Sequence, residues 1–103
     1  MRTILILGAG RSASALIAQL IHDAPREEWR ITVVDRDLAH AQALVGGGTS
    51  VARAEQGDAG DPAVRDRLIA AHDLVISMLP AFMHMDVMKD CLRLKRHVIT
   101  PSY

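Results

Sequence analysis

Two runs near the start of the chain decide its fold: Thr3-Ile4-Leu5-Ile6-Leu7-Gly8-Ala9-Gly10-Arg11-Ser12-Ala13, and Arg30-Ile31-Thr32-Val33-Val34-Asp35. The first is an apolar segment that breaks at a glycine turn. It gives way to a helical pattern in which Leu16, Ile17, Leu20 and Ile21 form one apolar stripe. The second is a β-branched apolar segment that ends on a carboxylate. Strand, glycine turn, helix, strand, acid is the order of a βαβ unit that holds a dinucleotide. Each residue type answers a separate need. Gly8 lets the chain turn sharply out of the strand, and Gly10 leaves room for a pyrophosphate to approach the backbone. Ala13 is small enough for the helix to pack closely on the strand. A helix opening near Arg11 aims unpaired N–H groups and a positive dipole end at the phosphates. Arg11 and Ser12 add a cation and a hydroxyl to the same anion. Taken alone, the glycine pattern is equally served by a turn that only packs a helix.

Asp35 narrows that choice. A carboxylate at the end of the second strand accepts hydrogen bonds from the adenosine ribose, and it favours NAD because it repels the 2′-phosphate of NADP. Arg36 either stacks on adenine or pairs with that phosphate. The competing role for Asp35 is to cap the helix that follows. In Gly57-Asp58-Ala59-Gly60-Asp61-Pro62, Asp58 reads equally as an acceptor for the adenine amino group and as the cap of a turn. The run His72-Asp73-Leu74-Val75-Ile76-Ser77-Met78-Leu79-Pro80 leaves a fourth strand beside the first, at the topological switch point. Ser77, Met78, Leu79 and Pro80 are therefore expected to run along the cofactor towards the nicotinamide.

Outward from these runs the chain alternates regularly. Apolar segments at 3–7, 30–35, 49–54, 73–78 and 97–100 are separated by helical patterns near 11–22, 37–45, 62–71 and 81–94. The alternation predicts an α/β fold, a Rossmann-like doubly wound parallel sheet of five strands in the order 3-2-1-4-5, with right-handed crossovers. Pro25 is expected to end the first helix. Asp37 is expected to cap the second and Gly46-Gly47-Gly48 to stop it, while Asp61-Pro62 opens the third. The fourth opens after Pro80, with Met85, Met88 and Leu92 expected in the core.

The chain has 103 residues, the size of one domain, and half of them are hydrophobic while only 3% are aromatic, so the core must be aliphatic. Twelve basic and twelve acidic side chains give a formal net charge of zero, which argues against a dedicated nucleic-acid binder. Arg93-Lys95-Arg96-His97 reads as a solvated helix end. Cys91 is the only cysteine and sits in an apolar helical pattern, so it reads as packing. His22, His40, His72, His84 and His97 fall in separate elements without metal-ligand spacing; they read as surface or loop residues, and no metal is expected. No apolar run approaches the ~20 residues that span a bilayer. The N-terminus enters a strand at once, so a cytoplasmic location without a signal peptide is expected.

Gly8-Ala9-Gly10 after its strand, the segment His72 to Pro80, and the ending His97-Val98-Ile99-Thr100-Pro101-Ser102-Tyr103 together resemble the N-terminal NAD(P)-binding domain of the saccharopine dehydrogenase/reductase family, over essentially the whole chain. The resemblance implies a nicotinamide-dependent oxidoreductase that makes or breaks a secondary amine joining two amino-acid skeletons, as in lysine metabolism. It places Gly8, Gly10, Arg11, Ser12 and Ala13 at the pyrophosphate and Asp35 and Arg36 at the adenosine. Asp58 falls at the adenine, Met78, Leu79 and Pro80 at the nicotinamide half, and Ser102 and Tyr103 near the substrate. The cofactor is NAD or NADP, and Asp35 tilts the expectation to NAD, because NADP-using members carry a neutral residue before the arginine. The resemblance also implies a substrate-binding and dimerisation domain beyond Tyr103. The chain is then the cofactor half of a longer enzyme, inactive alone, with its last strand an exposed edge open to homo-oligomer formation. A nucleotide-sensing regulatory domain of the potassium transporter and channel type is the alternative. It shares Gly8 to Arg11, Asp35 and Gly57-Asp58, while the exit at Met78-Leu79-Pro80 and the ending Thr100 to Tyr103 fit the reductase better.

Overall fold

Strands that are apolar on both faces need helices on both faces, and a helix follows each of the first four strands. The computed structural model describes residues 2–8, 13–46 and 50–100. In order they form β1 (Arg2–Leu7), α1 (Ala13–Glu27), β2 (Trp29–Asp35), α2 (Leu38–Val45), β3 (Ala52–Gln56), α3 (Pro62–Ala70), β4 (Leu74–Ser77), α4 (Ala81–Leu94) and β5 (His97–Ile99). The five strands form one parallel sheet in the expected order, β3-β2-β1-β4-β5. Successive side chains alternate between the faces. Ile4, Ile6, Ile31, Val33 and Ile76 pack under Ile17 and Ala24 of α1 and Ala41 and Val45 of α2. Leu5, Leu7, Val34 and Val75 pack under Leu68 and Ile69 of α3 and Val87 and Cys91 of α4. Cys91 is buried, as its apolar pattern predicts; burial, aided by the charge of Asp90, pushes its thiol up to about 11. It stays protonated and unreactive near neutral pH.

The helix ends follow their cap chemistry. Asp37 accepts a hydrogen bond from the His40 N–H at 3.3 Å, and Gly46 closes α2 at φ 78°. Asp61 accepts from the Ala63 N–H at 3.0 Å, with Pro62 in the first turn. Asp61→Ala is expected to cost about 1 kcal/mol of stability. The single tryptophan, half-buried Trp29, supplies a fluorescence signal for the urea titration that checks this. An unchanged midpoint would remove Asp61 as the cap.

Five local expectations are corrected. Pro25 does not end α1, which runs to Glu27. Proline's φ suits a helix and its missing N–H removes one bond, while fully buried Ala24 holds that last turn on the sheet. The helix stops at Glu28, which adopts φ 59°. β3 begins and ends later than the 49–54 run, because pairing extends Val34↔Glu55 and Asp35↔Gln56. An edge strand tolerates such polar residues, and Arg67 of α3 holds Glu55 at 2.8 Å. Met85, Met88 and Leu92 are exposed; the inward line of α4 is Val87 and Cys91, one helical turn apart. The basic cluster is partly tied down and not simply solvated. Arg93 pairs with Asp66 of α3, and Arg96 donates to the carbonyls of Leu94 at 3.1 Å and Ala70 at 2.9 Å. His72, finally, is buried: its Nδ1 donates to the Leu68 carbonyl at 2.6 Å, and its Nε2 lies 3.1 Å from the Thr32 hydroxyl.

Candidate functional site

The order β3-β2-β1-β4-β5 reverses direction between β1 and β4, and the carboxyl ends of the strands at such a switch point are where sheets of this kind form a ligand crevice. Main-chain bonds carry the sheet one step past the strand ends. Gly8 N–H donates to Val34 O at 2.9 Å, Met78 N–H to Leu7 O at 2.8 Å, and Gly57 N–H to Asp35 O at 3.0 Å. The exits of four strands are thereby locked to one another, so the residues that follow them sit at fixed spacing.

At the β1 exit Gly8 has φ 84°, where a side chain is strained. A Cβ there would lie 3.0 Å from Leu79 Cδ2 and 3.3 Å from the Leu79 N and Met78 C atoms. Gly8, Met78 and Leu79 therefore meet at the switch point, with exposed Pro80 leading into α4. Ala13 opens α1. Gly10, Arg11, Ser12, Ser102 and Tyr103 lie outside the described residues.

At the β2 exit the Asp35 carboxylate is engaged within its own turn. One oxygen lies 3.4 Å from the Asp37 N–H, and the other lies 3.3 Å from His40 Nδ1. The side chain of Arg36 is exposed, and its carbonyl is held at 3.1 Å by Gln56 Nε2 from β3. Asp58 accepts from the Gly60 N–H at 2.8 Å, so the turn-capping role is the one the structure displays. Gly57 packs tightly, with a Cβ there only 3.1 Å from Val34 Cγ1.

Gln56, which fixes the Arg36 backbone, and His40, which occupies Asp35, were not singled out by sequence reasoning. Ser77, expected along the cofactor, is fully buried at the end of β4 and shares a 2.8 Å hydrogen bond with His84 Nδ1 in the first turns of α4, a partner the sequence did not suggest. The last pair is seven positions apart across a strand-to-helix turn, a spacing that means nothing until the turn is known. At the opposite end of the sheet a cavity of about 270 Å³ is lined by Thr3, Arg30, Thr32, Ser50, Arg53 and His72. It lies away from the glycine turn and the strand exits, so the crevice remains the candidate site.

Residues 4–103 match the family model described as the saccharopine dehydrogenase NADP binding domain. The chain is 36% identical over 102 residues to the NADP(+), L-glutamate-forming saccharopine dehydrogenase of Saccharomyces cerevisiae, covering 99% of this chain and 22% of that protein. It is also 36% identical over 103 residues to the Schizosaccharomyces pombe enzyme of the same name, covering 100% and 22%. The apo saccharopine dehydrogenase (L-Glu forming) structure from S. cerevisiae superposes with a TM-score of 0.84 at 34% identity, over 100% of this chain and 22% of that one. The chain thus spans about a fifth of the length of these relatives. They give no support to the transporter-type alternative.

The same findings do not support the lean towards NAD, since the family description and both relatives specify NADP. The geometry supplies a reason. The Asp35 charge is drawn into the β2–α2 turn by His40 and the Asp37 N–H, and Arg36 stands exposed at the rim.

Proposed function

This chain belongs to the saccharopine dehydrogenase NADP-binding domain family, and we propose that it holds NADP for an oxidoreductase acting on a secondary amine between amino-acid skeletons. The observation that carries the reading is the β1 exit, where Gly8 at φ 84° closes against Met78 and Leu79 beside the ends of β2 and β3. The donor set around it fits the cofactor. Arg36 offers a planar, permanently charged fork to the 2′-phosphate, and its backbone is fixed by Gln56. Gly8, Gly10, Arg11, Ser12 and Ala13 would face the pyrophosphate, Asp58 the adenine rim, and Met78, Leu79 and Pro80 the nicotinamide half. Ser102 and Tyr103 would approach the substrate. When bound, NADP supplies the hydride acceptor or donor; this chain's part is to hold it and to shape one wall of the reacting pocket. The other wall would come from a substrate domain in the longer polypeptide, because hydride transfer needs both reactants held in register. A cytoplasmic setting is part of the proposal, and among the described residues no helix is long and apolar enough to cross a membrane.

Calorimetric titration of NADP and NAD into the wild type and Arg36→Ala tests the reading. The wild type should bind NADP more tightly than NAD. Removing one charge-assisted phosphate contact should weaken NADP by about tenfold or more and leave NAD within about twofold. If Arg36→Ala weakens both nucleotides alike, Arg36 stacks on adenine instead. If neither nucleotide binds the wild type, the proposal is wrong for the isolated domain.

A further inference from the structure

The entry of α4 is held differently from those of α2 and α3. Asp37 and Asp61 cap those two helices with their side chains, whereas α4 opens on Pro80, which makes no side-chain cap bond. A main-chain bond from the Met83 N–H to Pro80 O, at 2.9 Å, closes its first turn. A second tie reaches back to the sheet, where His84 Nδ1 lies 2.8 Å from Ser77 Oγ. His84, Val87 and Cys91 are spaced i, i+3 and i+7, so they share one stripe of the helix. Val87 and Cys91 are buried against the sheet, which makes half-buried His84 the first member of the inward stripe. Ser77 projects on the same face of β4 as Val75 and is 0% exposed. A hydroxyl sealed from water costs free energy unless it is bonded, and His84 supplies the bond.

We infer that the Ser77–His84 pair clamps the turn Met78-Leu79-Pro80 and makes His84 a positioning residue for the nicotinamide half of the cofactor, which rests on the reading of this crevice as the NADP site. The two ends of the clamp differ. Ser77 is fixed, because it pairs with Leu7 in the sheet and the next N–H, that of Met78, is bonded to Leu7 O at 2.8 Å. His84 stands on the helix, so the bond carries the rigidity of the sheet to a residue seven positions on. Between them Met78, Leu79 and Pro80 belong to neither element. Pro80 has no N–H, so its own main chain cannot donate a bond that would tie the turn. Leu79 sits against the Gly8 turn, where a Cβ on Gly8 would lie 3.0 Å from its Cδ2. A turn held at both ends keeps Leu79 there and presents Met78 and Pro80 in one arrangement before the cofactor arrives. Less ordering is then left for binding to supply.

The test is calorimetric titration of NADP and of adenosine 2′,5′-bisphosphate, which keeps the adenosine and its 2′-phosphate but lacks the nicotinamide half. In Ser77→Ala and in His84→Ala, NADP should bind about tenfold more weakly, the worth of one lost hydrogen bond, while the bisphosphate stays within about twofold of wild type. The double variant should match the weaker single one within about twofold, because both changes remove the same bond. His84→Asn carries an amide atom where Nδ1 stands and should restore NADP affinity to within about threefold of wild type. Variants that keep full NADP affinity overturn the inference. So do variants that lose both compounds alike, since the pair then serves the fold and not the nicotinamide half. A His84→Asn variant that binds NADP no better than His84→Ala overturns it too. Ser77→Ala removes a single oxygen atom, so it decides the matter where a His84 variant does not fold. A wild type that binds neither compound defeats the NADP reading itself, whereas a wild type that binds NADP beside unaffected variants defeats the clamp alone.

Discussion

Replacement of Arg65 by methionine is expected to destabilise the domain by about 3 kcal/mol, a large fraction of the 5–15 kcal/mol typical of a whole domain. Arg65 is 7% exposed although it carries a permanent charge. Its Nε donates to Asp90 at 2.7 Å and its Nη1 to the Ala59 carbonyl at 2.9 Å, so one side chain ties α3 to α4 and to the turn after β3. Methionine keeps much of the volume but leaves the Asp90 carboxylate, only 17% exposed, without its main partner. It also strips the Ala59 carbonyl of its donor. Arg93 softens the loss, since it too reaches Asp90, at 3.4 Å. That contact is why the lower end of the range for broken buried pairs is expected. Arg65→Lys restores the charge but cannot reach both acceptors, and should recover only part of the stability. Urea titrations of the three proteins, followed at Trp29, check the order. A methionine variant within about 1 kcal/mol of wild type would show the pair to be dispensable.

This anchor was invisible in the sequence, and the reason is general. Arg65 and Asp90 are 25 positions apart and belong to different helices, so neither periodicity nor a local motif links them. What the sequence did reveal was carried by short-range chemistry. The apolar runs, the caps Asp37 and Asp61 and the glycine at position 8 each state their conformation within a few residues. Strand order followed from one further rule, the handedness of parallel crossovers. Direction on a helix surface was harder. Met85, Met88 and Leu92 share a face with one another, but which face meets the sheet depends on where α3 lies, and that is a tertiary fact. The lean towards NAD went unsupported for a similar reason. The sequence shows Asp35 beside Arg36 but not that His40 and the Asp37 N–H take up both carboxylate oxygens.

Gly8→Val is the second large effect expected, about 3 kcal/mol of lost stability together with weakened NADP binding. Two separate costs combine in it. The first is conformational: φ 84° is costly for any L side chain, about 1–2 kcal/mol, and most costly for a β-branched one. The second is contact, since the new Cβ would sit 3.0 Å from Leu79 Cδ2 and 3.3 Å from main-chain atoms of Met78 and Leu79. The Leu79 side chain can rotate away, but the main chain cannot, because the Met78 N–H is bonded to Leu7 O at 2.8 Å. Strain relief must therefore part β1 from β4 at the switch point, the place where the crevice forms. Gly46 isolates the first cost. It adopts a comparable φ of 78°, yet a Cβ there meets nothing within 4 Å. Gly46→Ala should thus show the conformational term alone, about 1 kcal/mol. Gly8→Ala should exceed it by the contact term, and Gly8→Val should exceed both. Adding Leu79→Ala to Gly8→Ala should recover only part of that excess, because the main-chain contacts remain. If Gly8→Ala and Gly46→Ala prove equally destabilising, the close approach of β1's exit to Met78 and Leu79 contributes nothing, and Gly8 matters only for its turn.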